Sequence, residues 1–147
     1  MDVFYYWKNF DIDVAAGGIG AFKTSADKLK ELADGQPDYI WAFRRPKGSK
    51  SELQLLGKLR CTERHGGAYA ISYDIGHDRS VQFVDSGSPA AVAEVTDWVS
   101  RHYHRMKSAN FVGSSGQEAM RGLPLKELEL IAARMVKAPL RPPVVAT

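Results

Sequence analysis

The sequence of 147 residues lacks several features that would mark a well-defined class of protein. It has one cysteine, Cys61, so no internal disulfide can form, and a reducing compartment is the simplest expectation. The single cysteine and four sparse histidines also provide no zinc framework. No apolar run approaches the length of a membrane span, and residues 1–8 lack the basic and then apolar pattern of a secretory signal. We therefore expect a cytoplasmic protein with no membrane contact, no metal and no cofactor.

Positive charge is only slightly in excess, since 20 Lys and Arg face 17 Asp and Glu for a formal net charge of +3. That excess does not by itself indicate a nucleic-acid partner, but the positions of the charges are more informative. One cluster lies between residues 44 and 50, and a second contains Arg101, His102, His104, Arg105 and Lys107. Either cluster taken alone is equally compatible with an ordinary solvated surface.

Sequence patterns of catalysis are also missing. Gly17, Gly18 and Gly20 lack the spacing of a dinucleotide-binding fingerprint, and no Gly-Lys-Ser/Thr follows at the P-loop interval. The 77–80 segment contains the residue types of a catalytic triad, but adjacency in sequence is not triad geometry. We therefore expect a binding module rather than an enzyme.

The order of apolar and turn-forming segments predicts many short strands and few helices. The predicted strands cover 3–10, 39–43, 53–62, 68–75 and 80–84, and the predicted helices cover 26–33, 89–106 and 125–137. This pattern favours an α+β fold, a small twisted β-barrel with about three flanking helices. One domain over 1–138 would then be followed by a Pro-rich tail over 139–147.

The most informative feature is the basic turn, residues 44–50, between the strands predicted at 39–43 and 53–62. Its four cations lie within seven positions: Arg44, Arg45, Lys47 and Lys50. Aromatic residues on a sheet beside such a turn suit stacking on a nucleobase while the cations hold the phosphate backbone. The sequence therefore predicts that DNA or RNA is the partner.

Several aromatic and amide side chains are candidates for contact with a base. Trp7 and Asn9 would share one face of the first strand, so the indole could stack on a base and the amide could read its edge. Trp41 would be a second wall, and Gln117 could line the same pocket. The alternatives are that Trp7 and Trp41 are core residues, that Asn9 ties down a loop, and that Gln117 caps the last helix.

Three segments together resemble the PUA-like superfamily, and more closely its EVE-type domains and related modules found beside HNH nucleases. They are Tyr-Tyr-Trp-Lys-Asn at 5–9, Asp-Tyr-Ile-Trp-Ala-Phe at 38–43 and Leu-Leu-Gly-Lys-Leu at 55–59. Trp7 and Asn9 match the family's Trp-x-Asn and Trp41 matches its second Trp, although Pro37-Asp38 stands where Gly-Asp is usual. The resemblance implies a β-barrel that binds nucleic acid and places a modified base in an aromatic pocket.

We therefore expect a non-catalytic module that reads a modified or flipped DNA base. Trp7 and Trp41 would stack on it, Asn9 and Gln117 would contact its edge, and the basic turn, which is not part of the family motif, would contact phosphates. A nuclease could act as a separate subunit, since the chain itself encodes no recognisable one. The alternatives are an RNA-binding module of the same fold, a small enzyme and a protein-interaction domain.

Overall fold

Most of the described chain belongs to one curled β-sheet with helices packed against it. The computed structural model describes residues 1–23, 37–62, 70–103 and 117–140. The strands are β1 (Asp2–Tyr6), β2 (Ile19–Lys23), β3 (Tyr39–Arg44), β4 (Gln54–Cys61), β5 (Ala70–Asp74), β6 (Val81–Phe83), β7 (Gln117–Met120) and β8 (Lys137–Pro139). The helices within the same ranges are α1 (Phe10–Ala16), α2 (Pro89–His102) and α3 (Gly122–Ala133). The predicted α+β class is confirmed.

Six strands follow one another across the sheet in the order β2-β5-β4-β3-β1-β7. β6 branches from β4 and pairs in turn with β8. β1 and β3 are parallel, and the other described pairs are antiparallel. The sheet curls into a half-barrel, which agrees with the predicted twisted sheet.

Gly57 allows β4 to bend and β6 to approach it closely. The register between β3 and β4 shifts after Ala42, which pairs with Gly57, whereas Phe43 pairs with Leu55. A Cβ atom at Gly57 would lie 2.8 Å from the carbonyl oxygen of Val81, closer than real Cβ contacts allow. Glycine in a strand is typical of such a bulge and close backbone approach.

Two apolar layers cover opposite faces of the sheet, because successive side chains of a strand point to opposite sides. On one face α2 and α3 pack over stacked rings, with Phe4 and Phe43 centroids 4.0 Å apart and Phe43 and Trp98 centroids 5.9 Å apart. The other face buries Val3, Ile40 and Trp7 among other apolar residues. Trp7 and Phe4 therefore belong to different layers.

The predicted helix start at residue 89 is confirmed. The Ser88 side chain accepts a hydrogen bond of 3.2 Å from the backbone N–H of Ala91, and Pro89 is the first helical residue. α2 ends at His102 rather than near residue 106, and residues 104–116 lie outside the described part. α3 begins at Gly122 and ends at Ala133, so it starts and stops earlier than the predicted 125–137.

Some sequence predictions of secondary structure were wrong. The first strand ends at Tyr6 and α1 follows, whereas a strand was predicted as far as residue 10. β2, β7 and β8 were not predicted, and the helix predicted at 26–33 lies outside the described residues. The domain boundary placed between 138 and 139 falls inside β8, and Leu140 beyond it is buried. Residues 141–147 of the predicted tail are not described.

Candidate functional site: the basic turn and the Trp7 cluster

The backbone of the basic turn is fixed by its own hydrogen bonds. The N–H of Ser49 donates to the carbonyl of Pro46 at 3.0 Å, and Gly48 between them has a φ of +84°. That conformation suits glycine at the third position of a type II turn. The hydroxyl of Ser49 then accepts from the backbone N–H groups of Ser51 at 3.4 Å and Glu52 at 3.1 Å.

Both ends of the turn are tied to the rest of the fold. The N–H of Arg45 donates to the hydroxyl of Tyr6 on β1 at 3.3 Å. After the turn, Leu53 is fully buried, and its N–H donates to the hydroxyl of Thr96 on α2 at 3.0 Å. The cations are therefore presented from a defined backbone and not from a long free loop.

The four cations of the turn differ in their surroundings. Lys47 and Lys50 are exposed, and neither forms an ion pair with a carboxylate of the described residues. Arg45 is half-buried. Arg44 Nη1 lies 3.0 Å from Asp11 Oδ2, with 30% of the Arg44 side chain and 76% of the Asp11 side chain exposed. An ion pair so open to water contributes at most about 1 kcal/mol.

Trp7 lies in the core and not in an open pocket. Its side chain is packed by Tyr5, Phe10 and Tyr73, with centroid distances of 5.1, 5.4 and 4.8 Å. Its Nε1 donates to Asp13 Oδ2 on α1 at 2.7 Å, and only 2% of the residue is exposed. We call these five residues the Trp7 cluster. The alternative reading of Trp7 as a core residue matches this placement, and no ring face is open for a base.

Asn9 does not share a strand face with Trp7, so that part of the predicted site is wrong. β1 has ended by Tyr6, and Asn9 is the exposed residue that precedes α1. Asp11 and Asp13 follow in the first turn of α1, where carboxylates interact favourably with the positive end of the helix. Asn before two nearby Asp residues was the available signal for a helix start.

Trp41 is also buried, and it cannot form a second wall beside Trp7. It pairs in register with Phe4, so its side chain lies on the face covered by α2 and α3, whereas Trp7 lies on the other face. Its Nε1 donates to the buried carboxylate of Asp2 at 2.7 Å, and 1% of the residue is exposed. The prediction failed because the face of each tryptophan depends on strand register, which the sequence does not reveal.

Gln117 lies on the same side of the sheet as the Trp7 cluster. It is the first residue of β7, pairs in register with Tyr5 and is 2% exposed. The structure therefore brings Gln117 next to the Trp7 cluster, but in the interior. It does not cap the last helix, which begins at Gly122.

A second group of cations, which the sequence predictions did not include, lies at the other end of the β3–β4 hairpin. The Nζ atom of Lys58 lies 4.1 Å from the ring centroid of Tyr39 and 4.6 Å from that of Trp41. Arg60 Cζ lies 5.4 Å from the Tyr39 centroid. Lys58 and Arg60 are two positions apart in a strand and so share a face, which is a signal that the sequence contained.

Burial changes the ionisation of two groups near this hairpin. It raises the pKa of Asp2, although the hydrogen bond from Trp41 and the charge of Lys58 act in the opposite direction. Burial also raises the pKa of the Cys61 thiol to about 12, so this thiol is protonated at neutral pH. Cys61 is a free, buried cysteine.

The second basic cluster of the sequence is partly neutralised where it is described. Arg101 Nη1 and His102 Nε2 lie 2.7 and 2.9 Å from the same Glu127 oxygen, and Arg101 Nε lies 2.9 Å from Asp97. His104, Arg105 and Lys107 lie outside the described residues. The described part of this cluster, Arg101 and His102, therefore links α2 to α3 through Glu127.

Known proteins add no further assignment. In the described ranges, no group of three or more His, Cys, Asp or Glu side chains could hold a metal ion. No helix in those ranges has both the length and the apolar character needed to cross a membrane. No protein-family model matches this chain, and no curated protein or solved structure matches it either.

Proposed function

We propose that this chain is a non-catalytic nucleic-acid-binding module that contacts the phosphate backbone through the basic turn. The observation that carries the proposal is the exposure of Lys47 and Lys50 on a turn whose backbone is fixed, with no carboxylate of the described residues paired to them. Burying a charge is costly, so exposed lysines are common, but a cluster on one rigid turn concentrates positive potential in one place.

Binding of this kind depends on salt because each neutralised phosphate releases condensed counterions. The slope of log K against log salt is roughly −0.9 per phosphate contact on duplex DNA. Lys47 and Lys50 would supply two contacts, and Arg45 could supply a third. Arg44 would contribute only after it leaves Asp11.

Recognition of a modified base stays a prediction from the family resemblance. Stacking on a base requires an accessible ring face, and Trp7 and Trp41 are 2% and 1% exposed. We therefore propose contact with phosphates and assign no residue to reading the base. We propose DNA as the ligand, with RNA of matched sequence as the alternative to be compared, since the 2′-hydroxyl distinguishes the two.

We also propose that the fold is a PUA-like barrel of the EVE type. The curled half-barrel with α2 and α3 on one face and α1 beside the other supports this assignment. The same resemblance is our basis for proposing a separate nuclease subunit as partner.

The proposal is tested by removing the two exposed lysines of the turn. We expect the Lys47→Ala/Lys50→Ala variant to bind labelled duplexes more weakly at every sequence and to flatten the salt slope by about 2. Fluorescence anisotropy across a salt series would measure both effects, on single strands and duplexes of DNA and RNA.

Lys126→Ala/Lys137→Ala is the matched control, because it removes the same charge from exposed positions on α3 and β8. Equal losses in the two double variants would show that only net charge matters, and would contradict a role for the turn. No binding of the wild-type protein at low salt would contradict the whole proposal and favour a protein-interaction domain.

A further inference from the structure

The end of the β3–β4 hairpin away from the basic turn brings two cations to one face of the sheet. Tyr39 pairs in register with Arg60, and Trp41 pairs with Lys58. Residues directly opposite each other in an antiparallel pair share a face, so all four side chains lie on the same side. That side is open enough at this end for 32% of the Arg60 side chain to be exposed.

Lys58 lies over two aromatic rings, and its charge also interacts with the buried carboxylate of Asp2. Its Nζ atom lies 4.1 Å from the centroid of Tyr39 and 4.6 Å from that of Trp41. Aromatic rings attract a cation but do not replace the oxygen acceptors that an ammonium group prefers. Among the described residues Lys58 forms no hydrogen bond or ion pair, so its three N–H donors are available to solvent or to a ligand.

Arg60 also has donors to spare. Its Nη1 donates to the backbone carbonyl of Asp38 at 2.6 Å and to Asp38 Oδ1 at 3.3 Å. Within the described ranges only Nη1 of the guanidinium donates hydrogen bonds, so Nε and Nη2 are available to a ligand. Its Cζ lies 5.4 Å from the same Tyr39 ring that holds Lys58.

Three carboxylates lie near these cations, those of Asp2, Asp38 and Asp74, and none of them forms an ion pair with Lys58. Asp74 on β5 pairs in register with Arg60, and its Oδ1 accepts from the N–H of Gly76 at 3.0 Å. Asp2 is buried and accepts from Trp41 Nε1 at 2.7 Å, without reaching ion-pair distance from Lys58. Asp38 is held by Arg60 and is 61% exposed. Two cations drawn to one ring, with unused donors on both, are the arrangement that a tetrahedral oxyanion bridges well.

We propose that Lys58 and Arg60, positioned by the Tyr39 ring, form a binding site for a phosphate group. The phosphate could belong to a free phosphate ester or to a nucleic-acid backbone, and only the second source rests on the proposed function. β3 spans six residues, so this site and the basic turn are about 17 Å apart. One backbone would need several consecutive phosphates to reach both.

The site is tested by titrating inorganic phosphate into the isotope-labelled protein at constant ionic strength near neutral pH. We expect saturable NMR shifts at Tyr39, Lys58 and Arg60 with phosphate, and none with chloride. Absence of saturable shifts in the wild-type protein, or the same shifts with chloride, would overturn the proposal without any variant.

Lys58→Met keeps an unbranched side chain between the rings and removes the charge. It should weaken phosphate binding by about tenfold or more, the loss expected for one charged hydrogen bond. Lys126→Met on α3 is the matched control and should bind as the wild type does; a melting curve checks that both variants fold. Unchanged phosphate binding by folded Lys58→Met would overturn the proposal.

A second titration, with an oligonucleotide in place of inorganic phosphate, identifies the source of the phosphate. Loss of both phosphate and oligonucleotide affinity in Lys58→Met assigns the site to the backbone, whereas loss of phosphate alone assigns it to a free ester. Failure of the proposed function is distinguishable: the wild-type protein would not bind the oligonucleotide, or the Lys47→Ala/Lys50→Ala variant would bind it as the wild type does, while the phosphate-induced shifts at Lys58 persist.

Discussion

The basic turn and the Trp7 cluster are neighbours, yet water reaches them very differently. The N–H of Trp7 donates to the carbonyl of Phe43 at 2.8 Å, one residue before the basic turn begins at Arg44. Lys47 and Lys50 are exposed on the turn, whereas Trp7 is 2% exposed and packed by three rings. The sequence predicted that both belong to one binding surface. In the structure the basic turn is exposed to solvent, and we call it the open half, whereas the Trp7 cluster is buried, and we call it the sealed half.

The difference follows from what burial does to each kind of side chain. Transferring an unpaired ammonium group out of water is strongly unfavourable, so a run of lysines and arginines in a turn stays at the surface. A tryptophan gains free energy from burial, and it is equally at home in a core or in a pocket. Charge runs therefore predict exposure from sequence, and aromatic residues do not.

The largest expected effect is a difference in the free energy of unfolding between variants of the Trp7 cluster and variants of the basic turn. Replacing Trp7 by Ala removes a buried ring and the hydrogen bond to Asp13, and should lower the free energy of unfolding by about 3–5 kcal/mol. Lys47→Ala/Lys50→Ala should change it by less than about 0.5 kcal/mol. Urea unfolding measures both, and a Trp7→Ala protein as stable as wild type would contradict the sealed cluster.

A smaller effect is expected at Gly57, next to β6. Ala at this position should destabilise the protein by about 1–3 kcal/mol, because the new methyl group meets the Val81 carbonyl at 2.8 Å. Gly48→Ala is the comparison in the open turn: it has no atom within 4 Å, and only its φ of +84° opposes the substitution, at about 1 kcal/mol. A Gly57→Ala protein with wild-type stability would show that β4 and β6 are not in close contact.

Alkaline pH tests the sealed interior through Cys61. Its pKa is raised by burial to about 12 from an ordinary value of 9.0, so the folded thiol keeps its proton while the unfolded thiol loses it above about pH 9. Folding stability should therefore fall as pH rises, by about 1 kcal/mol from this group between about pH 8 and pH 10. Across that pH range, the free energy of unfolding should fall less steeply for Cys61→Ala than for the wild type. Tyr73 and Tyr103, whose pKa values are raised to about 12, should add the same further decline to both proteins. Equal slopes in the two proteins would contradict a buried thiol.

The smallest effect concerns the boundary between the open and sealed halves. Asp11 on α1 pairs with Arg44 at 3.0 Å, at a position where the proposed function places a phosphate. Asp11→Asn should raise nucleic-acid affinity by about threefold, since the exposed pair is weak, and should steepen the salt slope by about 1. Asp97→Asn is the matched control, because Asp97 is an exposed helical carboxylate that pairs with Arg101 at 2.9 Å. The same gain in both variants would mean that Asp11 acts only through net charge.

Local signals in the sequence were sufficient for much of the fold. The predicted helix start at residue 89 matches α2, and the strands predicted at 39–43 and 53–62 match β3 and β4. Each of these depends on one segment and its chemistry. The curled sheet followed from the number of short strands.

The candidate site was predicted less well because it depends on contacts between distant segments. Trp7 and Trp41 face opposite sides as a result of the register of β1 with β3. Asn9 lies before a helix whose first turn carries the carboxylates that pair with Trp7 and Arg44. The convergence of Lys58 and Arg60 on Tyr39 likewise needs the β3–β4 register. None of these relations is visible in a single segment.

The most direct test is the binding of wild-type protein to matched duplexes that carry cytosine, 5-methylcytosine or 5-hydroxymethylcytosine, across a salt series. An open basic turn beside sealed tryptophans predicts similar affinity for all three, with log K falling by about 2 to 3 per tenfold increase in salt. Absence of binding at low salt would contradict the proposed phosphate contact. Strong selectivity for one modification with little salt dependence would contradict the division into an open and a sealed half.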